Sequence, residues 1–474
     1  MDARQLLFDN FSQKTIKEIS VSEPEWLLEH RKKSFALFEQ LPLEKSELFK
    51  NYINLTGMKR DFRISSPYEV AKVPKNLQFA LGKKSEFSIR QIDSKTEANI
   101  PKEISEKGVI LEDMMTALTF PKERSSSTVR NHTFLEDYFK KKVLPPEEEK
   151  MAAFNNAFFN SGFFLYVPEN VNVQIPLHNT LLMASENTSV IAQNVIILGN
   201  NASATIIDES YSQDCNSLYS NSTEVLLNNG ASLQIGSMQN FGSNVVSFVN
   251  KKAQLEKDSK ISWSSGLFGG SFNLSKTENV LKGDGSEAQD FEVVFGGQTQ
   301  KFDVASNLRH VGMSTTGRVI VKGVFKDSSR AVIKGMINIG DKAKNTQAYL
   351  AEHAILLSKE ARADAIPGLE IANNEVKATH SASVAQISEE QIFYLTSRGF
   401  TTEEAKKLIV LGFFEPLVRQ ISLNEVKVRI KALAEMKWNS ESIHNITNVS
   451  QRIWEEEIVE EKTKDAFEGH YKYR

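Results

Sequence analysis

The residues able to do chemistry in this chain are few and far apart. Eight histidines (His30, His132, His178, His310, His353, His380, His444 and His470) are scattered over 474 residues, and no two are spaced to put a ligand pair on one element. His380 differs from the others in its setting. It lies in Glu375-Val376-Lys377-Ala378-Thr379-His380-Ser381, where a β-patterned stretch gives way to a helical one. An imidazole there can serve as a metal ligand or as a polar anchor in an interface, whereas a hydrogen-bonded structural role is the plain alternative for any histidine. Cys215 is the single cysteine, which excludes an intrachain disulfide, a CxxC pair and any zinc or iron–sulfur site held by this chain's thiolates alone. With no histidine beside it, Cys215 reads as a structural thiol and not as a nucleophile.

Other motifs dissolve on inspection. Gly270-Ser271-Phe272-Asn273-Leu274-Ser275-Lys276-Thr277 resembles a phosphate-binding loop, but Ser275 replaces the second glycine and no strand-to-helix junction surrounds it. No nucleotide site is expected. Gly283-Asp284-Gly285 and Gly296-Gly297 read as turns, and HExxH, GxSxG and EF-hand patterns are missing. The carboxylate pairs Glu112-Asp113 and Glu389-Glu390 fall at expected helix starts, where the helix dipole explains them without catalysis. No catalytic residue is expected. Phe413 and Phe414 follow Gly412 beside Pro416 and read either as an exposed apolar patch or as internal packing of a helical domain.

The elements that must position these groups fall into three stretches. Residues 1–150 read as mostly helical, with a capping box at Ser22-Glu23-Pro24-Glu25 opening a helix that ends near Pro42, and further helical patterns at Leu111–Leu118 and Phe134–Lys142. Residues 151–387 turn to period two, most plainly over Val171–Leu177. Short apolar runs then alternate with polar turns (Val195–Leu198, Thr205–Ile207, Val225–Leu227, Phe291–Phe295, Val319–Val321, Ile337–Ile339). An internal echo, Asn200 to Ile206 against Asn228 to Ile235, repeats a turn followed by a strand. A β-solenoid is the favoured reading over a large sandwich, because the turns are polar and the runs short.

Residues 388–474 turn helical. Ser388-Glu389-Glu390-Gln391 and Thr401-Thr402-Glu403-Glu404 are capping boxes, Gly399 is placed to end the first helix, and Ala405, Leu408 and Ile409 are expected to face inward before Pro416 stops the second. A third helix spans about Leu423 to Met436, and the charged tail around Trp454 has no readable role.

Composition narrows the class of function. With 40% hydrophobic and 25% charged residues the chain is an ordinary globular protein, and a formal net charge of −3 supplies no field for nucleic acid. No stretch approaches the ~20 apolar residues of a membrane span, and the first residues lack a signal-peptide pattern. A cytoplasmic protein is expected, with neither nucleic acid nor membrane as a partner.

The stretch from Leu369 to Phe414, LEIANNEVKATHSASVAQISEEQIFYLTSRGFTTEEAKKLIVLGFF, resembles the SufB/SufD family of iron–sulfur cluster assembly proteins. SEPEWLLEHRKKSFALFEQLP and FFLYVPENVNVQIPL support the likeness, which runs from about residue 20 to 436. The resemblance implies a mainly β fold, a right-handed parallel β-helix core flanked by N-terminal and C-terminal helical domains. It implies two partners: a SufB-like paralogue paired through the β-helix end, and a SufC-type ABC ATPase held by the C-terminal helices. Within the family the wording around His380 is closer to SufD, and the interface histidine falls on His380. The cysteine often found two residues earlier in SufD is Ala378 here. SufB's assembly cysteine would fall about 28 residues before His380, at Glu352-His353.

A non-enzymatic, SufD-like scaffold subunit is therefore implied. It would hold no cofactor stably by itself, leaving iron or a transient iron–sulfur cluster to the interface with its partner. Phe413 and Phe414 become ATPase-contact candidates. Two rivals stand beside this reading: a SufB-like homodimeric scaffold, against which the missing thiolates argue, and a β-helix protein that binds or cleaves polysaccharide.

Overall fold

The computed structural model describes residues 7–21, 23–44, 62–66, 72, 73, 75, 77, 87–118, 135–441, 448–453 and 455. Its body is a parallel β-solenoid in which the chain alternates between two sheets. One coil supplies a strand to each. The first sheet runs through Phe163–Val167, Thr188–Leu198, Ser217–Leu227, Val245–Leu255, Phe272–Leu281, Lys301–His310, Arg330–Ile339 and Arg362–Ile371. The second runs through Leu177–Met183, Ser203–Ser212, Ser232–Asn240, Lys260–Leu267, Glu287–Gly296, Thr316–Phe325, Gln347–Leu356 and Lys377–Gln386. Each of the six apolar runs read from the sequence lies inside one of these strands.

Residues at alternate strand positions point inward and stack on their counterparts one coil away. Leu198, Leu227, Leu255 and Leu281 build one such column, and Ile206, Ile235 and Trp263 another, all in one continuous core. The sequence echo is this stacking itself: Ser203 pairs with Ser232 and Ile206 with Ile235. Between the sheets the chain turns through left-handed residues at corresponding places, Asn201 (φ 55°), Gly230 (φ 68°), Asp258 (φ 55°), Gly285 (φ 70°), Ser314 (φ 55°) and Asn345 (φ 58°). These short or side-chain-free residues tolerate that conformation. At Gly230 a Cβ would also come within 2.4 Å of Asn201 Oδ1, so the stacked turn has no room for one.

Helices cover the outer faces. Helices Gln13–Ile19, Glu25–Gln40 and Lys150–Phe158 lay Phe8, Phe11, Phe38 and Phe154 over Phe248 and Phe272 of the first sheet. Arg31, fully buried, ties this layer down through Glu23 (2.6 Å) and the carbonyls of Ala157 and Phe159. Helices Thr402–Val418 and Asn424–Asn439 press Phe414, Val426 and Ile430 onto Met238 and Phe295 of the second sheet. Gly236 makes the approach possible, since a Cβ there would lie 2.1 Å from Val426 Cγ2.

Several expected elements differ. Leu111 belongs to the strand Ile110–Asp113, which pairs antiparallel with Phe163–Val167, and only Met114–Leu118 is helical; pairing with a sheet edge overrides the local helical pattern. Val171–Pro176 makes only an isolated bridge at Asn172. Pro176 has no N–H to give a ladder, Ile175 is 46% exposed, and the strand starts at Leu177. The helix Glu25–Gln40 is capped by Pro24 without a side-chain bond, and Ser22 lies outside the described residues, as do Trp454 and most of the tail. Pro416 does not stop its helix, which continues to Val418, because a proline in the last turn removes a single backbone bond. Leu408 points outward at 44% exposure.

A polar column runs through the core. Thr223, Lys251, Thr277 and Ser306 are in register on the first sheet and face Ser265 and Glu292 of the second, all buried. Lys251 Nζ donates to Ser265 Oγ (2.9 Å) and lies 3.6 Å from Glu292. Burial, then the neighbouring Asp290, pushes Glu292 up to about 8 against the opposing pull of Lys251. The folded chain thus favours the uncharged acid. Its contribution is fully present below the ordinary value of 4.5 and is lost as pH rises through about 8.

Two outcomes follow for stability. Thermal melts of Glu292→Gln should fall less steeply than wild type between pH 5 and pH 8; parallel curves would contradict the burial argument. Phe414→Ala should cost about 3 kcal/mol or more in denaturant unfolding, because Phe414 is 3% exposed against Phe295.

Candidate functional site

The two ends of the solenoid are finished differently. At the N-terminal end Lys95–Asn99 closes the second sheet antiparallel to Ser88–Ile92, and Ile110–Asp113 closes the first. At the other end the strands Arg362–Ile371 and Lys377–Gln386 each have, among the described residues, a neighbour on one side only. Ten-residue edges are left with free backbone donors and acceptors, the form that templates pairing with another chain.

His380 sits on that last strand. It pairs in register with Leu350, whose side chain is in the core, so the imidazole occupies an inward position at the mouth of the solenoid and is exposed because no further coil covers it. Ala378, two residues earlier on the same face, packs against the core rim. The strand below carries Glu352 and His353, which the alternation sends opposite ways. Glu352 points inward beneath Ala382 and is fully buried, and burial pushes it up to about 8 against the opposing pull of the Ile366 backbone N–H. Gly335 makes room for it: a Cβ there would stand 2.8 Å from Glu352 Oε1. His353 points outward, with Nδ1 2.7 Å from Ser383 Oγ, and burial together with Lys322 lowers its proton affinity. The structure thus brings an imidazole and a carboxyl near one another at the open mouth, and sends His353 to the other side of the sheet.

Cys215 is elsewhere. It is buried at the turn leading into Ser217–Leu227, with Sγ 3.4 Å from Ser217 Oγ and its thiol pushed up by burial. Five strand spacings, roughly 24 Å, separate that strand from the terminal one of its sheet. The loop-like motif at Gly270–Thr277 forms a turn entering the strand Phe272–Leu281, with no helix to receive a phosphate. Among the described residues no group of three or more His, Cys, Asp or Glu side chains is placed to hold a metal ion.

The helical cap corrects the reading of Phe413 and Phe414. Phe414 is core, so it belongs to the internal-packing alternative, because helix Thr402–Val418 turns that face onto the second sheet. Phe413 is half-buried, its ring 4.6 Å from Lys322 Nζ and its carbonyl accepting from the same ammonium. The exposed apolar surface of the cap lies instead at Phe393 (73%) and Tyr394 (54%) on helix Glu389–Thr396, Phe400 in the connection that follows, and Leu408 on helix Thr402–Val418. The sequence carried a signal for this: the helix Glu389–Thr396 is only eight residues long, too short to bury every apolar residue it bears. Among the described residues no helix is long and apolar enough to cross a membrane.

Comparison with known proteins agrees with this architecture. Residues 181–413 match the SufBD core domain of the SUF system for FeS cluster assembly, and residues 1–178 match the SufBD protein N-terminal region. An iron-sulfur cluster assembly SufBD family protein of Staphylococcus haemolyticus is 28% identical over 430 residues, covering 87% of this chain and 90% of its own length. A Staphylococcus aureus (strain MRSA252) protein of the same description is 28% identical over 431 residues, with the same coverage of both chains. From its stacked-coil core, its helical flanks and these matches, the chain belongs to the SufBD family of iron–sulfur cluster assembly proteins.

Proposed function

We propose that this chain is the SufD-like, non-catalytic subunit of a cytoplasmic scaffold for iron–sulfur cluster assembly. The single observation that carries the reading is the open end, where two edges unpaired among the described residues frame an exposed His380. A SufB-like subunit would pair there. The cargo, iron or a nascent cluster, would meet nitrogen and oxygen donors from this side, because the only thiol is buried far from the mouth. That distribution of donors favours the SufD role over a SufB-like homodimer. The chain needs no stable cofactor of its own in this role, since thiolate ligands would come from the partner.

The C-terminal helices would hold the SufC-type ATPase. Phe393, Tyr394, Phe400 and Leu408 offer the aromatic and aliphatic anchors such a contact needs, and Phe413 lies nearer the core. The polysaccharide alternative finds no support in an outer groove of about 460 Å³ on the first sheet, which has no aromatic platform among its lining residues.

His380→Ala should leave the thermal midpoint of the purified chain unchanged while lowering the iron recovered with the co-expressed complex; iron equal to wild type would remove His380 from the site. Replacing Phe393 and Tyr394 together by serine should cut ATPase co-purification by about tenfold or more with the pairing of the two β-helix chains intact. Retained ATPase would send the search to another face of the helical cap.

A further inference from the structure

We propose that the outer face of the second sheet, over its last three coils, docks a carboxylate-rich segment of a protein partner, with Arg318 as the anchor. This surface is lateral to the open end and goes beyond the pairing and ATPase contacts above. The outward positions of Thr316–Phe325, Gln347–Leu356 and Lys377–Gln386 hold Arg318, Lys322, His353 and Lys377 and not one carboxylate. In a chain of net charge −3 such a face is unusual. The outer face of the first sheet at the same height differs in carrying carboxylates of its own, Asp303 with Lys334 (2.6 Å) and Asp364 with Arg362 (3.0 Å).

Arg318 is exposed and held without being neutralised. Its guanidinium carbon lies 5.9 Å from the Phe291 ring centroid and 5.7 Å from that of Tyr349, and no carboxylate pairs with it among the described residues. Two rings fix the plane of a donor fork whose hydrogen bonds remain to be used, which suits a carboxylate better than an isolated ammonium would. Lys322 is engaged with the Phe413 carbonyl and ring, and His353 is held by Ser383. Among the described residues Arg318 and the exposed Lys377 are therefore the cations of this face without a polar partner group.

The surroundings decide the class of ligand. Thr379 and Ser381 are small and polar, letting another backbone approach, and arginine and tyrosine are both enriched where proteins meet. A small anion would find a flat pleated surface with nothing to enclose it. Nucleic acid binding draws on many phosphate contacts, and two free cations supply few. An acidic protein segment fits what is left.

The test is fluorescence anisotropy of a labelled hexaglutamate peptide with the full chain at about 20 mM and about 150 mM salt. Binding is expected at low salt and weaker at high salt, with an affinity loss of about tenfold in Arg318→Ala, a smaller loss in Tyr349→Ala and none in Arg362→Ala on the opposite sheet. Thermal midpoints should be unchanged, since Arg318 is exposed. Equal affinity of Arg318→Ala and wild type, absence of low-salt binding, or tighter binding of a single-stranded oligonucleotide of equal charge would each overturn the proposal.

Discussion

Every coil of this protein is held by the coil before it. In a parallel solenoid a strand's backbone groups are satisfied only by the strands above and below, so the stack is stable inside and unsatisfied at its two faces. Evolution can close such a face with something that is not a coil or leave it for another chain. Here both solutions occur in one molecule. Antiparallel strands close the N-terminal face, while the strands Arg362–Ile371 and Lys377–Gln386 end the stack with nothing laid on their outer edges among the described residues. Ten residues of free edge would be a liability for a solitary protein, and this places the functional weight of the molecule at that end.

The same stacking rule disciplines the interior. A residue placed on an inward position meets its counterpart one coil away, so an apolar column stays apolar unless several coils agree to break it. Thr223, Lys251, Thr277 and Ser306 do agree, and they let Glu292 lie buried opposite them. A lone carboxyl in that core would cost several kcal/mol if charged, and the fold answers by keeping it protonated beside a lysine. Glu352 repeats the arrangement near the mouth, with Gly335 as its cradle and the Ile366 backbone N–H in place of the lysine.

Covering the outer faces is the task of the helices, and it determines what remains available. The aromatic layer of Phe8, Phe11, Phe38 and Phe154 seals the first sheet, and Phe414 with Val426 and Ile430 seals the second. The second seal reaches Ile320, Val324 and Ala351 in the last coils but leaves Arg318 exposed and Tyr349 half-buried beside it. Chemistry at the mouth, adhesion on the helical cap and a charged shelf beside them are thus three consequences of where the cover ends.

Much of this was legible in the residues themselves. The period-two runs and the Asn/Gly/Ser turns specify stacked short strands because the side-chain alternation and the left-handed turn residues are local properties, and the capping residues Ser388 and Thr401 mark helix starts by bonds to their own neighbours. The family resemblance carried His380 to the end of the sheet region. Local pattern failed wherever a distant partner decided the outcome. Leu111 became a strand because Phe163–Val167 offered it an edge, Phe414 became core because the helix turned it onto Phe295, and Glu352 and His353 parted to opposite faces of one strand. Which edge lies open, which ring is covered and which carboxyl is buried depend on contacts between residues dozens to hundreds of positions apart, and only the folded chain brings those together.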